Sequence, residues 1–229
     1  MSTDERNERH KKAMERRKAI VDEKIAQATE ERGVLIVLTG NGKGKSSSGF
    51  GTVVRCLGHG YKAGIVQFIK GTWDCGERDF IQQRCPEVPF HIMGSGFTWE
   101  TQDRERDIEA AEQAWCEAEK LLQDDSLHLV LLDELTYVLK YGWVPQERIF
   151  KALQNRPREQ SVIVTGRAAS TALKDIADTV SEVTDEKHAF RAGIKARKGV
   201  VLCAGGFCMN EEMVRKYAPL FDKGLEPIG

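Results

Sequence analysis

The chain lacks any apolar run long enough to cross a bilayer. Its continuous apolar stretches, such as residues 34–38, are strand-sized, whereas a membrane helix needs roughly 20 such residues. No two of the six cysteines (Cys56, Cys75, Cys85, Cys116, Cys203, Cys208) form a Cys-x-x-Cys pair, which argues against a zinc ribbon or a disulfide framework and for reduced thiols. Charge of one sign is also missing. Lys and Arg number 34 against 35 Asp and Glu, a formal net charge of −1, where a dedicated nucleic-acid binder carries a basic surplus. The opening residues, MSTDERNERHKK, lead into no apolar core, so a signal peptide is not expected. These absences leave a cytoplasmic globular protein with neither nucleic acid nor membrane as partner, and its 41% hydrophobic residues suffice for a core.

Composition shifts near residue 32. Seventeen of the first 32 residues are charged, against 52 of the remaining 197, and Gly and Pro are absent there. Ala, Glu, Lys and Arg favour helix, and opposite charges at helical spacing support it. Met14, Ile20, Val21 and Ile25 make an apolar stripe too thin for a core. Residues 1–32 therefore read as a charged helical arm closed by Gly33. Expected strands at 34–38, 63–69, 88–92, 128–132, 161–165 and 179–183 then alternate with expected helices at 46–57, 103–123, 145–153 and 172–177. This rhythm predicts an α/β, P-loop NTPase-like (RecA-like) domain over 33–199, a mostly parallel sheet with helices on both faces. Residues 200–229 form an extension with an apolar stretch at 200–208 and no assigned role.

The strongest local signal is Thr39-Gly40-Asn41-Gly42-Lys43-Gly44-Lys45-Ser46, followed by Ser47, between an expected strand and an expected helix. That context gives a Walker A loop its meaning. Gly40, Gly42 and Gly44 let backbone N–H groups close around phosphate oxygens, the helix adds its positive end, Lys45 supplies a point charge and the Ser46 hydroxyl reaches Mg²⁺. Thr39 stands where the pattern usually has its first glycine. Downstream, His128-Leu-Val-Leu-Leu-Asp133-Glu134 is an apolar run ending in two carboxylates, the layout of a Walker B strand. Asp133 is expected beside the loop at the strand's carboxyl end, and Asp133 and Glu134 with Ser46 are the candidate metal contacts. Glu134 is also a candidate base. Arg55, nine positions past Ser46, and Arg167, after a strand end, are candidates for the ribose or phosphates. Lys70, Thr72, Lys187, His188 and Lys195 are weaker ones, and His59, His91 and His128 lack metal-ligand spacing.

Further segments narrow the choice: Gln67-Phe-Ile-Lys-Gly-Thr-Trp73 with Gly76-Glu77-Arg78, Gly94-Ser-Gly-Phe97-Thr-Trp99-Glu-Thr101, Leu132-Asp-Glu-Leu-Thr-Tyr137, Val162-Ile-Val-Thr-Gly166-Arg167, Asp178-Thr-Val-Ser-Glu182 and Lys187-His-Ala-Phe190-Arg-Ala-Gly193-Ile-Lys195. Together and in this order they resemble the P-loop type of ATP:corrinoid adenosyltransferase, the cob(I)alamin and cob(I)yrinic acid a,c-diamide adenosyltransferases of bacteria, which share the threonine at position 39. The resemblance runs from the charged arm to about Gly199. It implies a cytoplasmic homodimer that moves the 5′-deoxyadenosyl group of ATP to the Co(I) of a reduced corrinoid, releases triphosphate, uses Mg²⁺ and takes electrons from a flavoprotein such as a flavodoxin. It also implies that Phe97 and Trp99 lie under the corrin, where they displace the lower axial ligand and ease reduction of Co(II). Two other readings share the motifs, an ordinary P-loop ATPase or kinase and a non-catalytic ATP-dependent cobalamin carrier. The thin stripe of the arm suits a lid that orders when both substrates bind.

If the aromatic pair excludes the lower ligand, Phe97→Ala and Trp99→Ala lose activity chiefly when assays start from Co(II) with a weak reductant. Chemically prepared Co(I) restores most of it. Equal losses from both starting states, measured as Co–C bond formation, count against that role.

Overall fold

Short apolar segments pair side by side because each is apolar on both faces, the pattern of parallel strands covered by helices on either side. In a computed structural model, which describes residues 3–69, 75–94 and 104–193, they are β1 (Leu35–Thr39), β2 (Ala63–Gln67), β3 (Phe90–Ile92), β4 (Leu129–Asp133), β5 (Ser161–Thr165) and β6 (Thr179–Glu182). Every pairing is parallel and the order is β3-β2-β4-β5-β1-β6. The loop-bearing strand β1 and the acidic strand β4 are thus separated by β5, the interposed-strand order of a RecA-like sheet. The helices are α1 (Thr3–Gln27), α2 (Lys45–Gly58), α3 (Gly76–Arg84), α4 (Arg104–Gln123), α5 (Leu135–Tyr141), α6 (Gln146–Gln154) and α7 (Thr171–Asp175), with a 3₁₀ turn at Phe190–Ala192.

The chain divides into two units, Met1–Arg32 and Gly33–Gly229. The first carries α1, none of whose residues is buried, as its thin stripe dictates. In the second, alternate residues of each strand point to opposite faces. Leu38, Ile65, Leu129, Leu131 and Ile163 pack with Phe50 and Val53 of α2. Val37, Val66, Val130, Leu132, Val162 and Val164 pack with Ala111, Ala114, Trp115, Ala118 and Leu122 of α4. Arg148 of α6 grips α4 through Glu112 and Glu119, each at 2.6 Å. Among the described residues no helix is long and apolar enough to cross a membrane.

Three elements differ from the sequence expectation. Directly after the acidic strand the chain forms α5, a helix absent from the expected set. Glu134 adopts φ 63° and turns the chain out of the sheet, and Leu135 and Val138, three apart and both fully buried, hold α5 to the core. Helix α3 was not anticipated, because Ile81 is its one buried residue and gives no periodic signal. The expected third strand shortens to Phe90–Ile92. The apolar stretch at 200–208 lies outside the described residues.

Leu131 is fully buried, under the turn of α2 that carries Gly49: a Cβ on Gly49 would come within 2.7 Å of Leu131 Cδ1. Leu131→Ala leaves a cavity that this close approach cannot refill, and should cost about 2–5 kcal/mol in denaturant unfolding with an unchanged m-value.

Candidate active site

Parallel pairing brings every strand's carboxyl end to one edge, where ligands of open α/β sheets bind. The loop after β1 lies there. Gly40 and Gly44 take φ of 98° and 108°, values that L side chains rarely adopt. Gly44 caps α2 in the left-handed conformation, which places the positive end of that helix at the loop. Gly40 and Gly42 have a second reason to be glycine. A Cβ on Gly40 would collide with the Val183 carbonyl oxygen, and one on Gly42 would sit 2.7 Å from the Val183 carbonyl carbon. The Gly42 N–H donates to Val183 O at 2.7 Å and the Val183 N–H to Thr39 O at 2.8 Å, lacing the loop to the segment after β6. Thr39 is buried and its hydroxyl accepts the Ala169 N–H at 3.0 Å. The threonine at this position therefore ties the loop to the turn that carries Arg167.

Lys45 is 8% exposed and folds back to donate to Gly42 O at 2.7 Å. Burial pulls its pKa below the ordinary lysine value; Glu134 and Asp185 oppose that shift, while Arg167 and Lys43 add to it. Four charged groups thus act on Lys45 beside the loop. Asp185 carried no sequence signal. Ser46 is half-buried. The Ser47 hydroxyl donates to Glu77 Oε1 at 3.2 Å and the Cys75 thiol to Glu77 Oε2 at 3.6 Å, which brings the start of α3 against α2. Sequence reasoning gave Glu77 no role.

Asp133 is fully buried. Its Oδ2 accepts from Gln67 Nε2 at 2.9 Å and its Oδ1 from the Thr165 hydroxyl at 2.6 Å. Glu134, half-buried, donates its backbone N–H to Thr165 Oγ1 at 3.0 Å. Burial first, then the Glu134 charge, pushes the Tyr137 hydroxyl above its usual pKa, against Arg167. Ile69, Glu134 and Ala168 are the non-glycine residues at positive φ among those described. They follow β2, β4 and β5, so strain of about 1–3 kcal/mol each gathers at the ligand edge.

The structure does not bring Arg55 to the loop: it is exposed in the last turn of α2, about 15 Å along the axis from Lys45 at 1.5 Å per residue. Asn41 and Lys187 are exposed and His188 is half-buried. His128 stacks on Tyr61 with centroids 4.7 Å apart. Phe97, Trp99, Lys70, Thr72 and Lys195 lie outside the described residues. Among the described residues no three His, Cys, Asp or Glu side chains converge as a metal cage.

Residues 31–201 match the family model described as ATP:corrinoid adenosyltransferase BtuR/CobO/CobP. The chain belongs to this adenosyltransferase family. Residues 1–25, which include most of α1, match a second model, cob(I)alamin adenosyltransferase N terminal. A corrinoid adenosyltransferase of Pseudomonas aeruginosa is 57% identical over 196 residues, 86% of this chain and 97% of that one. One of Escherichia coli K12 is 50% identical over 85% of this chain and 98% of its own, and one of Salmonella typhimurium 48% identical over the same shares. The match over residues 31–201 contains the laced loop and every described element from β1 to the 3₁₀ turn.

A lysine with a lowered folded pKa binds fewer protons than in the unfolded chain, so its burden on stability lessens as pH rises toward the ordinary lysine value. Lys45→Met therefore raises the Tm of the nucleotide-free protein near neutral pH and removes the Tm increase that Mg-ATP gives the wild type. A variant that keeps the full Mg-ATP shift contradicts the placement of the triphosphate on this loop.

Proposed function

We propose that this enzyme, a corrinoid adenosyltransferase, holds the triphosphate of ATP on the loop 39–46 and transfers the 5′-deoxyadenosyl group to a reduced corrinoid. A Co(I) centre is itself a strong nucleophile. Its electron pair attacks C5′, the C5′–O5′ bond breaks, and that pair leaves with triphosphate while cobalt becomes formally Co(III). The protein need not generate a nucleophile. It must hold C5′ in line and offset the charge of the leaving group. The built geometry of the loop supports this reading most directly: Gly40 and Gly44 at positive φ and a buried Lys45 at the start of α2 form a cradle suited to an anionic leaving group. Phosphoryl transfer would instead break a bond at the terminal phosphate.

The donor set fits Mg²⁺. Ser46, Glu134 and Asp133 offer hard oxygens, and a site with one or two carboxylates is what magnesium takes when phosphates and water complete its shell. The bound ion supplies charge neutralisation at the triphosphate. Ser46, Asp133 and Glu134 would hold the ion, with Asp133 kept in place by the Gln67 and Thr165 donors. Phe97 and Trp99 cover the corrin face. The enzyme works as a cytoplasmic homodimer supplied with electrons by a flavoprotein such as a flavodoxin.

Product analysis tests the reading. Incubation with Mg-ATP and Co(I) corrinoid should give one Co–C bond per triphosphate, read by absorbance and ³¹P NMR. ADP with phosphate, or no turnover, overturns it.

A further inference from the structure

Asp133 and Thr165 sit just beyond the last β4–β5 pair, Leu132 with Val164. By strand alternation Gln67, Asp133 and Thr165 share the face that Ile65, Leu131 and Ile163 present to α2. Thr165 is fully buried, and its methyl group lies 3.4 Å from where a Cβ on Gly49 would be. Its hydroxyl has one proton, given to Asp133 Oδ1 at 2.6 Å, and a lone pair that accepts the Glu134 N–H at 3.0 Å. That amide belongs to the residue at φ 63° where the chain leaves the sheet. The strand ladder no longer serves it there, and a buried N–H requires a partner. One side chain thus fixes the acidic pair twice, the first carboxylate through a donor and the second through its backbone. The next residue packs against the same turn. Gly166, at φ 137°, leaves the space its Cβ would fill to the Thr136 hydroxyl, with Glu134 Oε2 at 3.2 Å from the same point.

We infer that Thr165 is a positioning residue for adenosyl transfer: its hydroxyl holds Glu134 in the left-handed turn that sets the carboxylate beside Gly166 at the ligand edge of the sheet. The inference rests on the proposed reaction at this site. Thr165 touches no substrate. It acts through Glu134, and removing its hydroxyl lets the turn relax while the methyl contact with α2 stays.

The test uses the full chain with Thr165→Val, which keeps the shape and removes the hydroxyl, Thr165→Ser, which keeps the hydroxyl, and Glu134→Gln alone and combined with Thr165→Val. Rates of Co–C bond formation are measured from chemically reduced corrinoid at saturating Mg-ATP. Thr165→Val should fall by about tenfold or more while Thr165→Ser stays within about threefold, the loss expected of a removed positioning contact. The double variant should be slower than the worse single variant by no more than about twofold, because two residues acting as one unit are not additive. A wild-type rate in Thr165→Val, an equal fall in Thr165→Ser, or losses that multiply in the double variant overturns the inference. If Thr165→Val does not fold, Thr165→Ala is judged by the same criteria. A wild type that forms no Co–C bond would defeat the reaction, not the positioning. Hydrogen exchange at the Glu134 amide then decides the positioning: about tenfold or more faster in the hydroxyl-free variant and near wild type in Thr165→Ser if Thr165 holds the turn, unchanged in both if it does not.

Discussion

A buried carboxylate with both oxygens occupied organises the ligand edge of this enzyme. Asp133 is fully buried, and Gln67 and Thr165 donate to its two oxygens from the strands on either side, which offsets the cost of burying a carboxylate. Those bonds require the three strands to end in register, which parallel pairing supplies. With the register set, the three chains leave the sheet side by side. Their exits carry the strained residues Ile69, Glu134 and Ala168, and the turn after β5 carries Arg167. A shift of one strand by a single residue would turn Asp133 or its donors to the opposite face.

The phosphate loop was legible because its chemistry needs particular residue types at fixed spacing. The acidic strand was legible because a buried parallel strand is a continuous apolar run. Helix α5 went unread, because its 7 residues follow that apolar run directly, past a left-handed Glu134, and are too few to show a helical period. Helix α3 left no signal, since it buries Ile81 alone. Gln67, Thr165, Glu77 and Asp185 reach the site through register or loop approach, and nothing in their local sequence marks that. The resemblance to the adenosyltransferases covered their neighbourhoods without assigning them work. Arg55 fits the opposite case: proximity along the sequence to Ser46 becomes distance along a helix.

Lys45 shows how stability and function pull against each other here. The pocket disfavours its charge when the nucleotide is absent, and the lysine answers by donating to the loop's own carbonyl at Gly42. In the proposed reaction a triphosphate would replace that carbonyl with a far stronger counter-charge. The site is therefore poised for an anion at the expense of the empty protein.

The lacing of the loop to Val183 runs backbone to backbone: Gly42 N–H to Val183 O, and Val183 N–H to Thr39 O. Side chains at 183 and 184 take no part in those two bonds, so the position tolerates exchange of one residue type for another. Val183 directly follows β6, so an inserted residue there would slide the acceptor away from Gly42. Part of the loop's shape is thus encoded in spacing, and an insertion at that point would be felt in the loop although none of its own residues had changed.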